Sequence, residues 1–177
     1  MKILLGVTSG IAIYKSCELV RLFTKAGHEV KVCMSPSACE FIKPYLFERL
    51  SGNKVFVEMF EATVRHDVEH ISLAVWADAA VLAPATMSTI GKLANGIADN
   101  LLTTVFAAIP PATPVFIAPA MNSNMWTNPA NLRNIAYLKT WSNVRMIGPD
   151  EGSLACGTEG LGRMSEPEAI FSAVTAR

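Results

Sequence analysis

Short apolar runs alternate along this chain with longer amphipathic ones. Lys2–Val7 is apolar after its first residue, and Glu29–Met34, Ala79–Ala83, Pro114–Ala118 and Val144–Ile147 are further short, apolar-rich runs. Such runs, lacking a polar face, read as strands of a sheet covered on both sides. Between them the period changes. Ile11–Ala26 sets Ile11, Leu19, Leu22 and Phe23 as apolar against Lys15, Glu18, Arg21 and Lys25 as polar, and Gly27 follows as a helix stop. Ser35-Pro36-Ser37 opens a second helix, with Ser35 as cap and Pro36 in the first helical position. Thr86–Ala108 reads as mostly helical, Asn128–Thr140 as a helix with Pro129 near its start, and Glu166–Ala176 as a closing helix. Strands alternating with helices of this length build parallel βαβ units. The prediction is an α/β fold, one domain over residues 1–177, with Val144–Ile147 as its last strand.

Two stretches fit no element. Residues 52–70 lead to His70, and residues 148–165 form a loop carrying Gly148, Gly152, Gly157, Gly160 and Gly162. A loop of about 18 residues inside a compact domain is uncommon and often functional.

Composition narrows the function classes. Hydrophobic residues make up 51% and charged residues only 17%, an apolar excess that points to a subunit interface. The formal net charge is zero, which leaves no electrostatic footprint for nucleic acid or anionic lipid. No apolar run approaches the roughly 20 residues of a membrane span. The first residues run straight into a strand and turn, too short for a signal peptide, so the expected location is the cytoplasm. Cys17, Cys33, Cys39 and Cys156 show no CxxC pairing, so neither disulfides nor a zinc site is expected.

The chemistry gathers where strands end. After the first strand, Thr8-Ser9-Gly10 opens a helix, a setting in which backbone N–H groups and the helix dipole face an anion. It is neither GxGxxG nor a Walker loop. After the second strand stand Ser35 and Ser37, where a dinucleotide enzyme usually offers an acid to a ribose. Hydroxyls there suit a phosphate, so a mononucleotide such as FMN is favoured over NAD. After the third strand, Thr86-Met87-Ser88-Thr89 offers hydroxyls and helix N–H groups to the polar edge of a flavin, or simply caps a helix through Thr86 or Ser88. After the fourth, Pro119-Ala120-Met121-Asn122-Ser123-Asn124-Met125-Trp126 offers an amide, two thioethers and an indole. Taken alone it reads equally well as a helix start capped by Asn122.

Together these pieces resemble the flavin-dependent cysteine decarboxylases. The resemblance rests on Thr8–Ala12 with Tyr14-Lys15, His70-Ile71 with Leu73 and Trp76-Ala77-Asp78, Ala83–Thr86, Gly96–Leu102, Pro119–Trp126 and Leu154–Met164, and it runs nearly end to end. It implies a Rossmann-like or flavodoxin-like three-layer αβα sandwich with a parallel sheet, FMN as cofactor, and FMN at the interface of a homotrimer. In some bacterial members four trimers form a homododecamer, and the domain is often fused to a ligase. This chain ends too soon for that second domain, as a monofunctional enzyme or an excised domain would.

For the reaction, the resemblance implies decarboxylation of 4′-phosphopantothenoylcysteine to 4′-phosphopantetheine in coenzyme A biosynthesis. The carbon bearing sulfur is first oxidised, the thioaldehyde loses CO2, and the ene-thiolate is then reduced. By the same resemblance His70 manages the thiol proton, Asn122 orients the departing carboxylate, and Cys156 donates a proton in the reduction. Thr8, Ser9, Gly10, Ser35, Ser37, Thr86, Met87, Ser88, Thr89 and Met121 would hold FMN. Met125, Ala155 and Gly157 would join Asn122 around the substrate, under a closing loop. His28 and His66 lack the motif context. The family usually has Gly at position 9, Ala at position 13 and Asn at position 88, where this chain has Ser9, Ile13 and Ser88; the last replaces an amide by a hydroxyl at one expected flavin contact. Two alternatives stand beside this reading. One is a peptidyl-cysteine oxidative decarboxylase, against which Cys156 speaks. The other is a non-catalytic, phosphatase-regulating relative, against which the set His70, Asn122 and Cys156 speaks.

Overall fold

The computed structural model describes residues 1–59, 69–153, 157 and 159–176. Six parallel strands form its sheet, in the order β3-β2-β1-β4-β5-β6. They are β1 (Lys2–Val7), β2 (Glu29–Met34), β3 (Val55–Phe56), β4 (Ala79–Ala85), β5 (Val115–Pro119) and β6 (Val144–Met146). This is the expected α/β sandwich. The strand order reverses between β1 and β4, so the loops after these two strands diverge and leave a crevice at their carboxyl ends.

Alternation along the strands divides the core. Ile3, Leu5 and Val7 face one side, with Val30, Val32, Leu19 and Phe23. That side is covered by α1 (Ile13–Lys25), α2 (Pro44–Ser51) and α8 (Pro167–Thr175). Leu4 faces the other, with Leu82, Ile117 and Phe106. There α3 (Glu69–Trp76), α4 (Met87–Ala94), α5 (Leu101–Ala107) and α7 (Pro129–Leu138) pack. Gly6 belongs to this second face, and a Cβ there would stand 2.5 Å from the Phe106 ring, so only glycine lets α5 approach. Among the described residues no helix is long and apolar enough to cross a membrane.

Several predicted elements are divided or shifted. The second helix begins where expected, with Ser35 Oγ accepting from the Ala38 N–H at 3.3 Å. However, it is a short 3-10 turn, Pro36–Glu40, and α2 follows separately. The predicted Thr86–Ala108 helix is two helices. Gly96, at φ +68°, ends the first segment, and Asn100 caps α5 in a reciprocal box with Thr103. Residues 52–70 contribute β3 and the first turn of α3.

Val144–Met146 is not the last strand. The glycine-rich stretch holds an antiparallel hairpin, β7 (Asp150–Ser153) and β8 (Glu159–Arg163), separate from the main sheet. Glycine is depleted in strands, which is why the stretch reads as loop in sequence. A short helix, α6 (Ser123–Trp126), completes the elements.

Candidate active site

The loops after β1 and β4 are joined by one buried hydroxyl. Thr8 Oγ1 donates to the Pro84 carbonyl at 2.6 Å and accepts from the Thr86 N–H at 3.2 Å. Thr8 is 1% exposed, so its side chain ties the two sides of the crevice together. Ser16, from α1, adds a 2.8 Å bond to the Ala83 carbonyl.

Beside this junction lies a chain of hydroxyls. Ser37 Oγ donates to Ser9 Oγ at 3.2 Å, and Ser35 and Ser37 are 3.2 Å apart. Two loops separated by 28 residues thus present neutral donors at one place. Next to them Gly10 stands at the start of the turn into α1, where a Cβ would meet nothing within 4 Å. Hydroxyls and first-turn amides are the groups that hold a phosphate, and they fit the phosphate end of a mononucleotide.

Gly10 also begins a cavity of about 460 Å³, lined by Ile11, Tyr14, Lys15, Met121, Asn122 and Arg163 among others. Its floor departs from the helical pattern. Lys15 belongs to the predicted polar face of the first helix, yet it is buried, while Ile11 is exposed. Lys15 Nζ donates to the Met164 carbonyl at 2.9 Å and pairs with Glu166 at 3.1 Å. Arg163 pairs with the same carboxylate. The hydrogen bond from Lys15, with the charges of Lys15 and Arg163, holds the Glu166 carboxyl below its ordinary value. Two cations at the wall and one shared acid leave this cavity suited to an anionic ligand.

Asn122 is the cap of α6, its Oδ1 accepting from the Asn124 N–H at 2.8 Å. Both readings of this residue therefore meet in one side chain. Capping orients the carboxamide, and the same residue lines the cavity. Thr86 likewise caps α4, accepting from the Thr89 N–H at 3.3 Å, with Thr89 buried, Met87 half-buried and Ser88 exposed.

The hairpin closes the other side. The Met121 N–H donates to the Gly162 carbonyl at 3.0 Å, and a Cβ on Gly162 would overlap the Met121 carbonyl. A Cβ on Gly160 would lie 2.5 Å from Ser123 Oγ. The glycines of this motif thus let β8 lie flat on the Met121–Ser123 backbone.

Of the predicted site residues, Gly10, Met121 and Asn122 line one cavity. Ser9, Ser35 and Ser37 adjoin it, and Thr8 links it to the Thr86–Thr89 turn. His70 is half-buried in the first turn of α3, at the carboxyl end of the sheet but not among the lining residues. Met125 is exposed on α6, and Gly157 is exposed; neither lines the cavity. Ala155 and Cys156, like His66, lie outside the described residues. His28 packs against the rings of Phe23 and Phe171, which also touch each other. Burial, and then the neighbouring N-terminal charge, lower its pKa. Burial raises the thiol pKa of both Cys17 and Cys39.

Sequence reasoning passed over Asn131 and Asn134. They sit with Ile135 and Leu138 on the buried face of α7. The available signal was two amides at helical core spacing.

A family model described as Flavoprotein matches residues 1–177, and the chain belongs to that family. It is 48% identical over 168 residues to the coenzyme A biosynthesis bifunctional protein CoaBC of Bacillus subtilis, covering 95% of this chain and 41% of that protein. It is 40% identical over 173 residues to the probable phosphopantothenoylcysteine decarboxylase of Streptococcus mutans, covering 98% of this chain and 96% of that one. The chain thus spans about two fifths of the bifunctional relative and nearly all of the shorter one. Among solved structures, a Cys-to-Ser mutant of PPC decarboxylase complexed with pantothenoylaminoethenethiol superposes with a TM-score of 0.85 at 33% identity, covering 98% of this chain and 95% of that chain. The FMN binding protein AtHal3 superposes with a TM-score of 0.83 at 33% identity, covering 98% and 94%.

Proposed function

We propose that residues 1–177 form one FMN-dependent decarboxylase domain that converts 4′-phosphopantothenoylcysteine to 4′-phosphopantetheine, in the cytoplasm, as a step of coenzyme A synthesis. The observation that carries this reading is the placement of Asn122 and Met121 in the cavity that begins at Gly10, beside the Ser9–Ser37–Ser35 hydroxyls. The names of the relatives and of the similar structures supply the substrate class and the cofactor.

In this reading Ser9, Ser35, Ser37 and the backbone at Gly10 hold the FMN phosphate, and Met121 and the Thr86–Thr89 turn border the ring. When bound, FMN supplies the reversible two-electron oxidation that makes loss of CO2 feasible. The chain's residues do the rest. The Asn122 carboxamide, turned by its cap bond, offers its NH2 side to the substrate carboxylate without adding a charge that would oppose departure of CO2. Lys15 and Arg163 draw the anionic substrate in, and Glu166 offsets part of their charge. His70 takes the thiol proton through its imidazole ring. Cys156 returns a proton when the ene-thiolate is reduced.

His70 is not among the residues that line the cavity of a single subunit, and the exposed Ile11 and Tyr14 border the cavity. Both features support assembly as a homotrimer that completes each site with a neighbour's residues. Light scattering of the purified protein tests the trimer. The decisive experiment is mass spectrometry of phosphopantothenoylcysteine incubated with the FMN-loaded protein. Loss of CO2 without net oxidation is expected, and a product two hydrogens short, released as the end point, would sink the assignment.

A further inference from the structure

Asn131 is 0% exposed on the inward face of α7, directly behind the Met121–Trp126 turn. Its Nδ2 donates to the Trp126 carbonyl at 3.0 Å and to Met121 Sδ at 3.5 Å. One amide nitrogen carries two hydrogens, so it can serve both acceptors at once. It thereby clips the turn at both ends, the backbone at Trp126 and the side chain at Met121. Between those ends stands Asn122, and Met121 itself lines the cavity with it.

This amide is poorly explained as a stabilising group. Its Oδ1 is buried and finds no partner among the described residues. An unpaired buried carbonyl costs stability that an apolar side chain of similar volume would not. A residue that satisfies only half of its polar groups in a core, yet points that half at the site, fits a role in positioning.

We infer that Asn131 is a positioning residue that fixes the Met121 thioether and the Asn122 turn for the reaction. The inference rests on the reading given under Proposed function for its catalytic consequence, and on geometry alone for the clip. A thioether is otherwise flexible about its side-chain torsions, and a hydrogen bond to sulfur selects one arrangement. Misplacement of a positioning group by a fraction of an ångström is felt in turnover more than in affinity.

The test uses Asn131→Leu, which keeps the branched four-atom skeleton of the side chain and removes both donors. Its thermal midpoint is expected to equal or exceed that of the parent protein. With FMN and phosphopantothenoylcysteine, kcat is expected to fall by roughly tenfold while KM stays within about twofold. In a Met121→Leu background the same substitution is expected to cost several-fold less than in the parent, because one of its two acceptors is already gone and only the Trp126 carbonyl remains. A second readout needs neither flavin nor substrate: with methyl-13C methionine, the Met121 methyl resonance shifts towards the rotamer-averaged position in Asn131→Leu. An unmoved Met121 methyl overturns the inference, as does a full kcat loss in both backgrounds. If Asn131→Leu does not fold, Met121→Leu carries the test. A shifted Asn131 side-chain amide resonance then supports the clip, and an unchanged one overturns it. Absence of decarboxylation by the parent chain would strike the proposed reaction and leave the methyl result standing.

Discussion

Met121 and Gly162 are joined through their backbones, the N–H of the first donating to the carbonyl of the second at 3.0 Å. The contact has no room for a side chain, and Gly162 holds φ at +143°, where L side chains are strained. Gly162→Ala should therefore push β8 away from the turn that carries Asn122. We expect a loss of about 1–3 kcal/mol in urea unfolding, with decarboxylation falling by more than a hundredfold at temperatures where the variant is folded (~2.7 kcal/mol at the barrier). An alanine variant with parental turnover would show that the docked hairpin is not needed.

Why the hairpin had to be seen rather than read is a matter of glycine. Gly152, Gly160 and Gly162 erase the alternation by which strands are recognised, and for Gly160 and Gly162 the reason lies in Ser123 and Met121, some forty positions away. Five of the six strands were legible because they are short, apolar-rich runs; β3, only Val55–Phe56, was not. The hydroxyls of the β1 and β2 turns were legible as neighbours because they follow two successive strands, and Ser37 Oγ lies 3.2 Å from Ser9 Oγ. Lys15 was not, since a buried lysine follows no helical period and becomes intelligible only through Met164 and Glu166. Asn131 failed for a similar reason. A helix pattern marks it as a core position but says nothing of which acceptors lie behind it.

The Lys15–Glu166 pair predicts a pH dependence. The Glu166 carboxyl titrates below its ordinary value of 4.5, first because Lys15 donates to it. A carboxylate with a lowered folded pKa contributes stability in full above the unfolded value and loses it as pH falls through the folded one. Glu166→Gln should thus melt at a lower temperature than the parent at pH 7. The gap should close as the pH is taken below 4.5. Calorimetry across that range checks it; a gap that persists at low pH would mean that Glu166 acts by something other than its charge.

The final reduction isolates Cys156. With Cys156→Ser, substrate oxidation and CO2 loss require no thiol in the proposed scheme, whereas reprotonation does. The variant should accumulate the ene-thiol product, two hydrogens short of 4′-phosphopantetheine, with the flavin left reduced. Mass spectrometry and the bleaching of flavin absorbance report the two halves separately. Conversion to the saturated product at the parental rate would remove Cys156 from the mechanism.

Ser37 tests the phosphate end without touching the chemistry. Its hydroxyl donates to Ser9 Oγ at 3.2 Å and neighbours Ser35, so an anion seated there would be met by three neutral groups. Ser37→Asp puts a carboxylate in their midst. A like charge placed against a bound anion costs several kcal/mol, so FMN affinity should fall by roughly a hundredfold or more (~2.7 kcal/mol). Ser37→Ala removes one donor and should cost only about tenfold, near 1.4 kcal/mol. Riboflavin separates this effect from general damage. It has the same ring and no phosphate, so its affinity should be nearly equal in the parent, Ser37→Ala and Ser37→Asp proteins. Fluorescence quenching titrations with both flavins supply the comparison. If riboflavin and FMN weaken together, Ser37 shapes the fold of the loop and the phosphate lies elsewhere.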